Sequence, residues 1–146
     1  MVFKKILAIL FTGMVLCTGL SVSAYAETTY LLNNSGVAPA YEKAYNVQSN
    51  LSISGYTAYC TSETYCADTV VSITVEQTLQ KQGFLWLWSD VKDANWTTTK
   101  NMNAVTFRNT KTGLSEGKYR LKSVFTITDK YGKTETITEY SAVKST

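Results

Sequence analysis

From residue 51 onward, apolar and polar residues alternate with a period of two, which limits the fold more than any other feature of the sequence. Residues 71–80 and 119–128 show the alternation best. In the first segment, the apolar face consists of Val71, Ile73, Val75 and Leu79. Strands with one apolar and one polar face are typical of antiparallel sheets, so the sequence predicts an all-β protein.

Turn signals divide this region into about seven strands with no amphipathic helix between them. Lys81-Gln82-Gly83 predicts a turn, and Phe84–Trp88 is predicted as the strand that returns from it. Residues 89–95 are predicted to be a loop, and Asp129-Lys130-Tyr131-Gly132 a hairpin turn. Short strands at this spacing predict an antiparallel β-sandwich over residues 51–143, with a closed barrel as the alternative.

A tyrosine near the start of one strand refines this prediction. Residues 114–119 read Leu-Ser-Glu-Gly-Lys-Tyr, and Tyr119 leads directly into an alternating strand. Immunoglobulin-like sandwiches often carry a tyrosine at the start of strand F, with its hydroxyl bonded to the backbone just upstream. Gly117 and Tyr119 are therefore predicted to form such a tyrosine corner, with the backbone partner between Leu114 and Glu116.

Three segments together resemble a family of small secreted proteins of unknown function from Gram-positive bacteria. They are LSISGYTAYC (51–60), VSITVEQTLQKQG (71–83) followed by tryptophans, and GLSEGKYRLKSVFTITDKYGKTETITEYS (113–141). The resemblance implies an immunoglobulin-like fold and export from a bacterial cell. It implies no activity.

The first 26 residues have the composition of a secretory signal peptide. Lys4 and Lys5 precede an apolar run, residues 6–20, and Ala24-Tyr25-Ala26 supplies small residues for cleavage before Glu27. The alternative is a membrane anchor, but the run is shorter than the roughly 20 residues that a spanning helix needs. Residues 27–50 are predicted to be an N-terminal extension of low order, with a helical turn near Tyr41–Tyr45.

Charge argues against nucleic-acid binding. The whole chain carries a net charge of +3, which falls to +1 when Lys4 and Lys5 leave with the signal peptide. The remaining basic residues are scattered, whereas a nucleic-acid interface needs a basic face or stripe.

Cysteine content fits an oxidising compartment. Cys17 lies within the predicted signal peptide, where the preceding Leu16 argues against a lipoprotein signal, and Cys60 and Cys66 remain. These two are predicted to form a disulfide that closes a short loop. A zinc site or a redox pair is the alternative, but the chain has no histidine and the spacing is not C-x-x-C.

Residues for catalysis are scarce. Without histidine, the Ser-His-Asp and Cys-His arrangements and the common zinc-enzyme sites are excluded. The remaining candidates are two carboxylate pairs. Asp90 and Asp93 have ordinary loop composition, and Glu135 and Glu139 suit the edge of a sheet, where charges block aggregation. We therefore expect no catalytic residue, no metal ligand and no cofactor.

The tryptophans are the only candidate ligand-binding residues. Trp86 and Trp88 lie two apart and so share a strand face, and Trp96 is near in sequence. Exposed tryptophans can stack on sugar rings, but an apolar segment such as residues 84–88 also needs a core. At least one of Trp86 and Trp88 is predicted to be buried.

The sequence thus predicts a secreted, non-enzymatic binding or structural domain whose partner is an extracellular protein or glycan. We expect no nucleic-acid partner and no stable membrane insertion after signal cleavage. Release into the medium, or loose association with the cell wall, is the expected location. A carbohydrate-binding module that uses exposed tryptophans is the main alternative. An enzyme and a subunit of a surface assembly joined by strand donation are the others.

Overall fold

The structure is a computed structural model, and it describes residues 41–146. These residues form two sheets in which every strand pairing is antiparallel. The strands are β1 (Ala44–Ser54), β2 (Thr57–Cys66), β3 (Val70–Gln82), β4 (Trp88–Lys100), β5 (Ala104–Lys111), β6 (Lys118–Asp129), β7 (Thr134–Tyr140) and β8 (Lys144–Ser145). Residues 41–146 contain one short helix-like turn, Phe84–Trp86, in which the backbone angles of Leu85 are not those of a right-handed helix. The predicted all-β antiparallel class is confirmed.

The strands are divided between a three-stranded and a five-stranded sheet. The first has the order β1-β2-β5; the second has the order β4-β3-β6-β7, with β8 added beside β6. Within residues 41–146 no strand ladder joins the two sheets, so the closed barrel considered as an alternative is not formed. In the same part of the chain, no helix has the length and apolar character needed to cross a membrane.

The N-terminal boundary of the sheet region differs from the prediction. The predicted signal peptide, residues 1–26, and residues 27–40 lie outside the described residues. Ala44–Asn50, predicted as extension or helical turn, is instead the first part of β1 and pairs with β2 from Ala44 opposite Cys66 onward. The apolar pattern is weak there because β1 is an edge strand and Ser49 takes one of its inward positions, where it bonds to Leu121 and Ser123.

Apolar residues from both sheets meet in two clusters. One is built around Ile73, Phe125 and Ile127, and the other around Leu79, Leu121 and Tyr119. All six side chains are at most 1% exposed. Because each cluster takes residues from the three-stranded and the five-stranded sheet, the sheets are held together mainly by burial of apolar surface.

One inward residue of β3 differs from the prediction. The register shift between Val70 and Ser72 reverses the alternation at that point. Val70 is therefore buried, and Val71, predicted to be inward, is exposed. A bulge of this kind adds one residue to a strand and leaves no trace in the apolar pattern.

A hydrogen-bonded polar seam runs between the sheets. The hydroxyls of Ser62 and Ser123 are 2.6 Å apart, and Ser49 lies 2.8 Å from Ser123. Gln77 donates to Ser62 at 2.7 Å and accepts from Asn109 at 2.8 Å. Every buried side-chain nitrogen and oxygen in residues 41–146 has a partner, so the seam carries no desolvation penalty from an unmade bond.

The predicted disulfide is wrong. Cys60 and Cys66 both lie on β2, and both are free and buried. Five extended residues lie between them, which puts their Cα atoms roughly 20 Å apart, whereas a disulfide needs less than about 7 Å. Residues 61–65, expected to be a loop, continue the strand and hold the two thiols apart.

Candidate functional site

The connection between β3 and β4 is the most apolar exposed segment of the described chain. We call its residues Phe84, Leu85, Trp86 and Leu87 the apolar tip. Their exposed fractions are 88%, 69%, 73% and 68%. Four consecutive large apolar side chains in water are unusual, because a folded domain normally hides such a run in its core.

Backbone geometry explains why the tip projects. Leu85 and Trp86 have φ values of 58° and 65°, as at the two central positions of a type I′ hairpin turn. Gly83 donates to the Leu87 carbonyl at 2.7 Å and closes the loop. The chain therefore reverses within Phe84–Leu87, and β4 begins only at Trp88.

The predicted return strand Phe84–Trp88 is therefore wrong, and so is the loop predicted for residues 89–95, which belong to β4. Asn-Gly or Asp-Gly usually marks a type I′ turn, because non-glycine residues with positive φ are uncommon. Leu85-Trp86 carries no such signal. The prediction instead placed the turn at Lys81-Gln82-Gly83, just before the four residues that reverse the chain.

The three tryptophans do not form one surface. Trp86 is at the tip, whereas Trp88 and Trp96 are half-buried on β4. The Arg120 guanidinium lies 4.5 Å from the ring centre of Trp88 and 4.1 Å from that of Tyr140. Trp96 packs against the apolar cluster around Leu79. The expectation that Trp86 or Trp88 is a core residue is wrong for Trp86 and only partly met by Trp88.

Basic residues lie at the strand ends next to the tip. The Lys118 ammonium lies 5.5 Å from the ring centre of Trp86. Lys81 and Lys144 are each paired with Tyr119, the residue after Lys118, in their sheet registers. We call Lys81, Lys118, Arg120 and Lys144 the basic collar. Their charges lie at the end of the sheet from which the tip projects.

Carboxylates are fewer in this region. Segments 81–90 and 114–122 contain two acidic residues, Asp90 and Glu116, against four basic residues, Lys81, Lys118, Arg120 and Lys122. Asp90 accepts a hydrogen bond from Gln80 at 2.9 Å, and Gln80 in turn accepts from Arg120 at 2.9 Å. The local balance at this end of the sheet is therefore positive.

The predicted tyrosine corner lies beside the collar. The Tyr119 hydroxyl donates to the Ser115 carbonyl at 2.6 Å, within the predicted range of partners. Gly117 has a φ of 152°, which disfavours a side chain, and a Cβ there would come within 2.5 Å of the Lys81 side chain. Gly117 thus allows Lys81 to cross the corner and bond to Ser115 at 2.6 Å.

Three of the four carboxylates considered for catalysis have structural partners: Asp90, as described above, Glu135 and Glu139. Glu135 accepts from the backbone N–H groups of Glu42 and Lys43, and Glu139 accepts from the Tyr41 hydroxyl. They fasten the segment before β1 to β7 rather than guarding a free sheet edge. Within residues 41–146 no group of three or more candidate ligands converges as a metal site would require.

Comparisons with known proteins add little. The chain matches no protein-family profile and no curated protein. The crystal structure of wild-type OgpA from Akkermansia muciniphila is similar over 75% of this chain, at 13% sequence identity and a TM-score of 0.36. The chain spans about a third of that protein, 33%. A similarity of this size assigns neither a fold family nor a function.

Proposed function

We propose that the chain is a secreted, non-enzymatic, immunoglobulin-like domain that binds an extracellular ligand through the apolar tip. The observation that carries the proposal is the exposure of Phe84 and Trp86 at the end of a hairpin. Keeping large apolar side chains in water is unfavourable and promotes aggregation, so an exposed run of them is typical of an interaction surface.

The strand order supports the immunoglobulin-like part of the proposal. With β4 taken as strand C′ and β1–β3 and β5–β7 lettered A to C and E to G, the sheets are A-B-E and C′-C-F-G. Tyr119 then stands near the start of strand F, the position of a tyrosine corner. Cys60 falls on strand B and Leu121 on strand F, so the bridge that joins these strands in antibody domains is replaced by apolar packing.

The partners of the acidic side chains support a non-enzymatic role. A pair of catalytic carboxylates would converge on open space. Here Glu135 and Glu139 are bonded to residues 41–43, and Asp90 to Gln80. The signal-peptide pattern of residues 1–26 and the resemblance to secreted Gram-positive proteins support export.

Carbohydrate binding is the second candidate, and the exposed indole of Trp86 favours it. A glycan platform of the predicted kind requires at least two exposed coplanar tryptophans. Only Trp86 among the three is mostly exposed, and Arg120 covers one face of Trp88. The aliphatic side chains of Leu85 and Leu87 also offer nothing to sugar hydroxyls.

Retention on surfaces tests the proposal. The wild type, a Phe84→Ala/Trp86→Ala variant and a Tyr131→Ala control are incubated with washed Gram-positive cells, peptidoglycan sacculi and insoluble cellulose. We expect the wild type and the control to be retained on the cells and the double variant to be lost, with equal melting temperatures. Equal retention of all three proteins would contradict a role for the tip. Retention on cellulose that depends on Trp86 would favour the glycan candidate.

A further inference from the structure

The apolar tip and the basic collar form one amphipathic end of the domain. The tip presents four consecutive apolar side chains, and the Lys118 ammonium lies 5.5 Å from the Trp86 ring. Another exposed aromatic, Tyr56, lies at this end, since its carbonyl accepts a hydrogen bond from Leu114 just before the tyrosine corner. The apolar side chains project furthest and the cations lie behind them. This order matches a lipid surface, where a group that penetrates past the charged headgroups reaches the acyl chains.

The residue types of the apolar tip and the basic collar are common at the boundary between lipid and water. Tryptophan concentrates at membrane interfaces because its ring is apolar while its indole N–H still finds a polar partner. Lysine and arginine side chains keep their stems on apolar surface and their charges in the headgroup layer. Phe84, Leu85 and Leu87 add apolar area that a soluble protein partner would also bury, but the collar discriminates in favour of an anionic surface.

We propose that the apolar tip inserts into the outer layer of an anionic phospholipid bilayer while the basic collar contacts the headgroups. The inference rests on the proposed function, because it names the ligand of the same surface. The contact is peripheral: the tip enters the interface and the two sheets remain outside it.

Charge complementarity favours lipid over a glycan. The collar contributes four positive charges, and the segments 81–90 and 114–122, which supply three of them, contain two carboxylates, Glu116 and Asp90, of which Asp90 is already bonded to Gln80. Each basic residue near an anionic bilayer strengthens binding by about fivefold. Neutral polysaccharides offer no partner for this excess charge.

Vesicle binding tests the inference. The protein is used in its processed form, because residues 6–20 are apolar and would bind lipid if retained. Sedimentation with phosphatidylglycerol/phosphatidylcholine vesicles is compared with phosphatidylcholine alone, at low and high salt. We expect binding to the anionic vesicles, weakened by salt as charges are screened, and a shift of tryptophan emission to shorter wavelength.

Matched variants assign the binding to the two parts of the surface. Trp86→Ala should reduce the partition coefficient about tenfold or more, by loss of one large apolar group. Tyr131→Ala is the control: Tyr131 is also an exposed aromatic with a lysine near its ring, but it lies beyond the other end of β6. Lys118→Gln/Lys144→Gln should weaken binding to anionic vesicles about thirtyfold, whereas Lys100→Gln/Lys130→Gln should not.

Two results would overturn the lipid assignment. One is failure of the wild type to bind anionic vesicles at low salt, and the other is equal binding by Trp86→Ala and Tyr131→Ala. If either occurs while retention on cells still depends on Phe84 and Trp86, the lipid inference fails and the proposed function stands. If retention on cells is also independent of the tip, both fail.

Discussion

The Tyr119 hydroxyl donates a 2.6 Å hydrogen bond to the Ser115 carbonyl, so the corner that leads into β6 is held by one buried side chain. Tyr119 is 1% exposed and packs in the apolar cluster around Leu79 and Leu121. The bond therefore couples the loop that leads into Lys118 to the core. Loss of this coupling would loosen the corner beside the basic collar.

Replacing Tyr119 with phenylalanine tests this bond. The ring stays and only the hydroxyl is lost, so we expect the free energy of unfolding to fall by about 1–2 kcal/mol. Urea denaturation measures the change, and Tyr131→Phe, at an exposed turn, serves as the control. Identical unfolding midpoints for wild type and Tyr119→Phe would contradict a structural role for the bond.

The tip and the core should respond differently to truncation. Trp86→Ala removes a side chain that is 73% exposed, so stability should change by no more than about 0.5 kcal/mol. Leu79→Ala opens a cavity at a fully buried position and should cost about 2–5 kcal/mol. Thermal melts of both variants check the contrast. A large loss of stability in Trp86→Ala would show that the tip packs against the domain.

Both thiols should be present and unreactive in the folded protein. Burial raises the pKa of the Cys60 thiol to about 12, and burial also raises the pKa of Cys66. Alkylation requires the thiolate and access to it. For the processed chain, which lacks Cys17, we expect mass spectrometry to show no alkylation by iodoacetamide under native conditions and two modifications in denaturant without reductant. Labelling that needed prior reduction would contradict the separation of the two cysteines on β2.

Acid should weaken the contact that joins the residue just before β1 to the end of β6. Lys43 lies 2.8 Å from Asp129, and the hydrogen bond between them holds the pKa of the Asp129 carboxyl below its ordinary value of 3.8. A group with a lowered pKa stabilises the folded state above its ordinary value and loses that effect as pH falls through the lowered one. Stability should therefore decline below pH 3.8.

The same ion pair should matter at the other end of the pH range. The bond to Asp129 raises the pKa of Lys43 above its ordinary 10.5, so its contribution is lost as pH rises beyond that value. Urea unfolding across pH, compared between wild type and Asp129→Asn, measures both effects. We expect Asp129→Asn to be less stable than the wild type at neutral pH, and its free energy of unfolding to fall less steeply below pH 3.8. The Glu116→Gln variant should follow the wild type.

Export predicts a specific N-terminus. If residues 1–26 are a cleaved signal peptide, N-terminal sequencing of protein from the culture medium should read Glu-Thr-Thr-Tyr-Leu-Leu, beginning at Glu27. Recovery of intact Met1 in the membrane fraction would contradict cleavage. Retention of the processed chain on cells would be compatible with the proposed lipid contact.

The sequence alone was sufficient for the all-β class and for the tyrosine corner. Both depend on local relationships: alternation places Ile73, Val75 and Leu79 on one face of a strand, and Tyr119 reaches back only four residues to Ser115. The prediction from alternation was correct because one face of each strand meets the apolar core and the other face meets water. It failed at Val71, where a bulge reversed the faces without changing the residue types.

The tertiary structure determined whether each residue is covered by another part of the chain or exposed to water. An apolar run such as Phe84–Leu87 is buried only if another surface covers it, and here the chain turns at Leu85 and Trp86 before one can. The sequence predicted that Cys60 and Cys66 close a loop. In the structure, the pairing of β2 with β1 and β5 keeps the residues between them extended. The basic collar, too, exists only because the registers of β3, β6 and β8 place Lys81, Lys118 and Lys144 at the same end of the sheet. Sequence periodicity records which side of a strand a residue takes, whereas strand pairing and sheet packing determine whether that side meets core, partner or water.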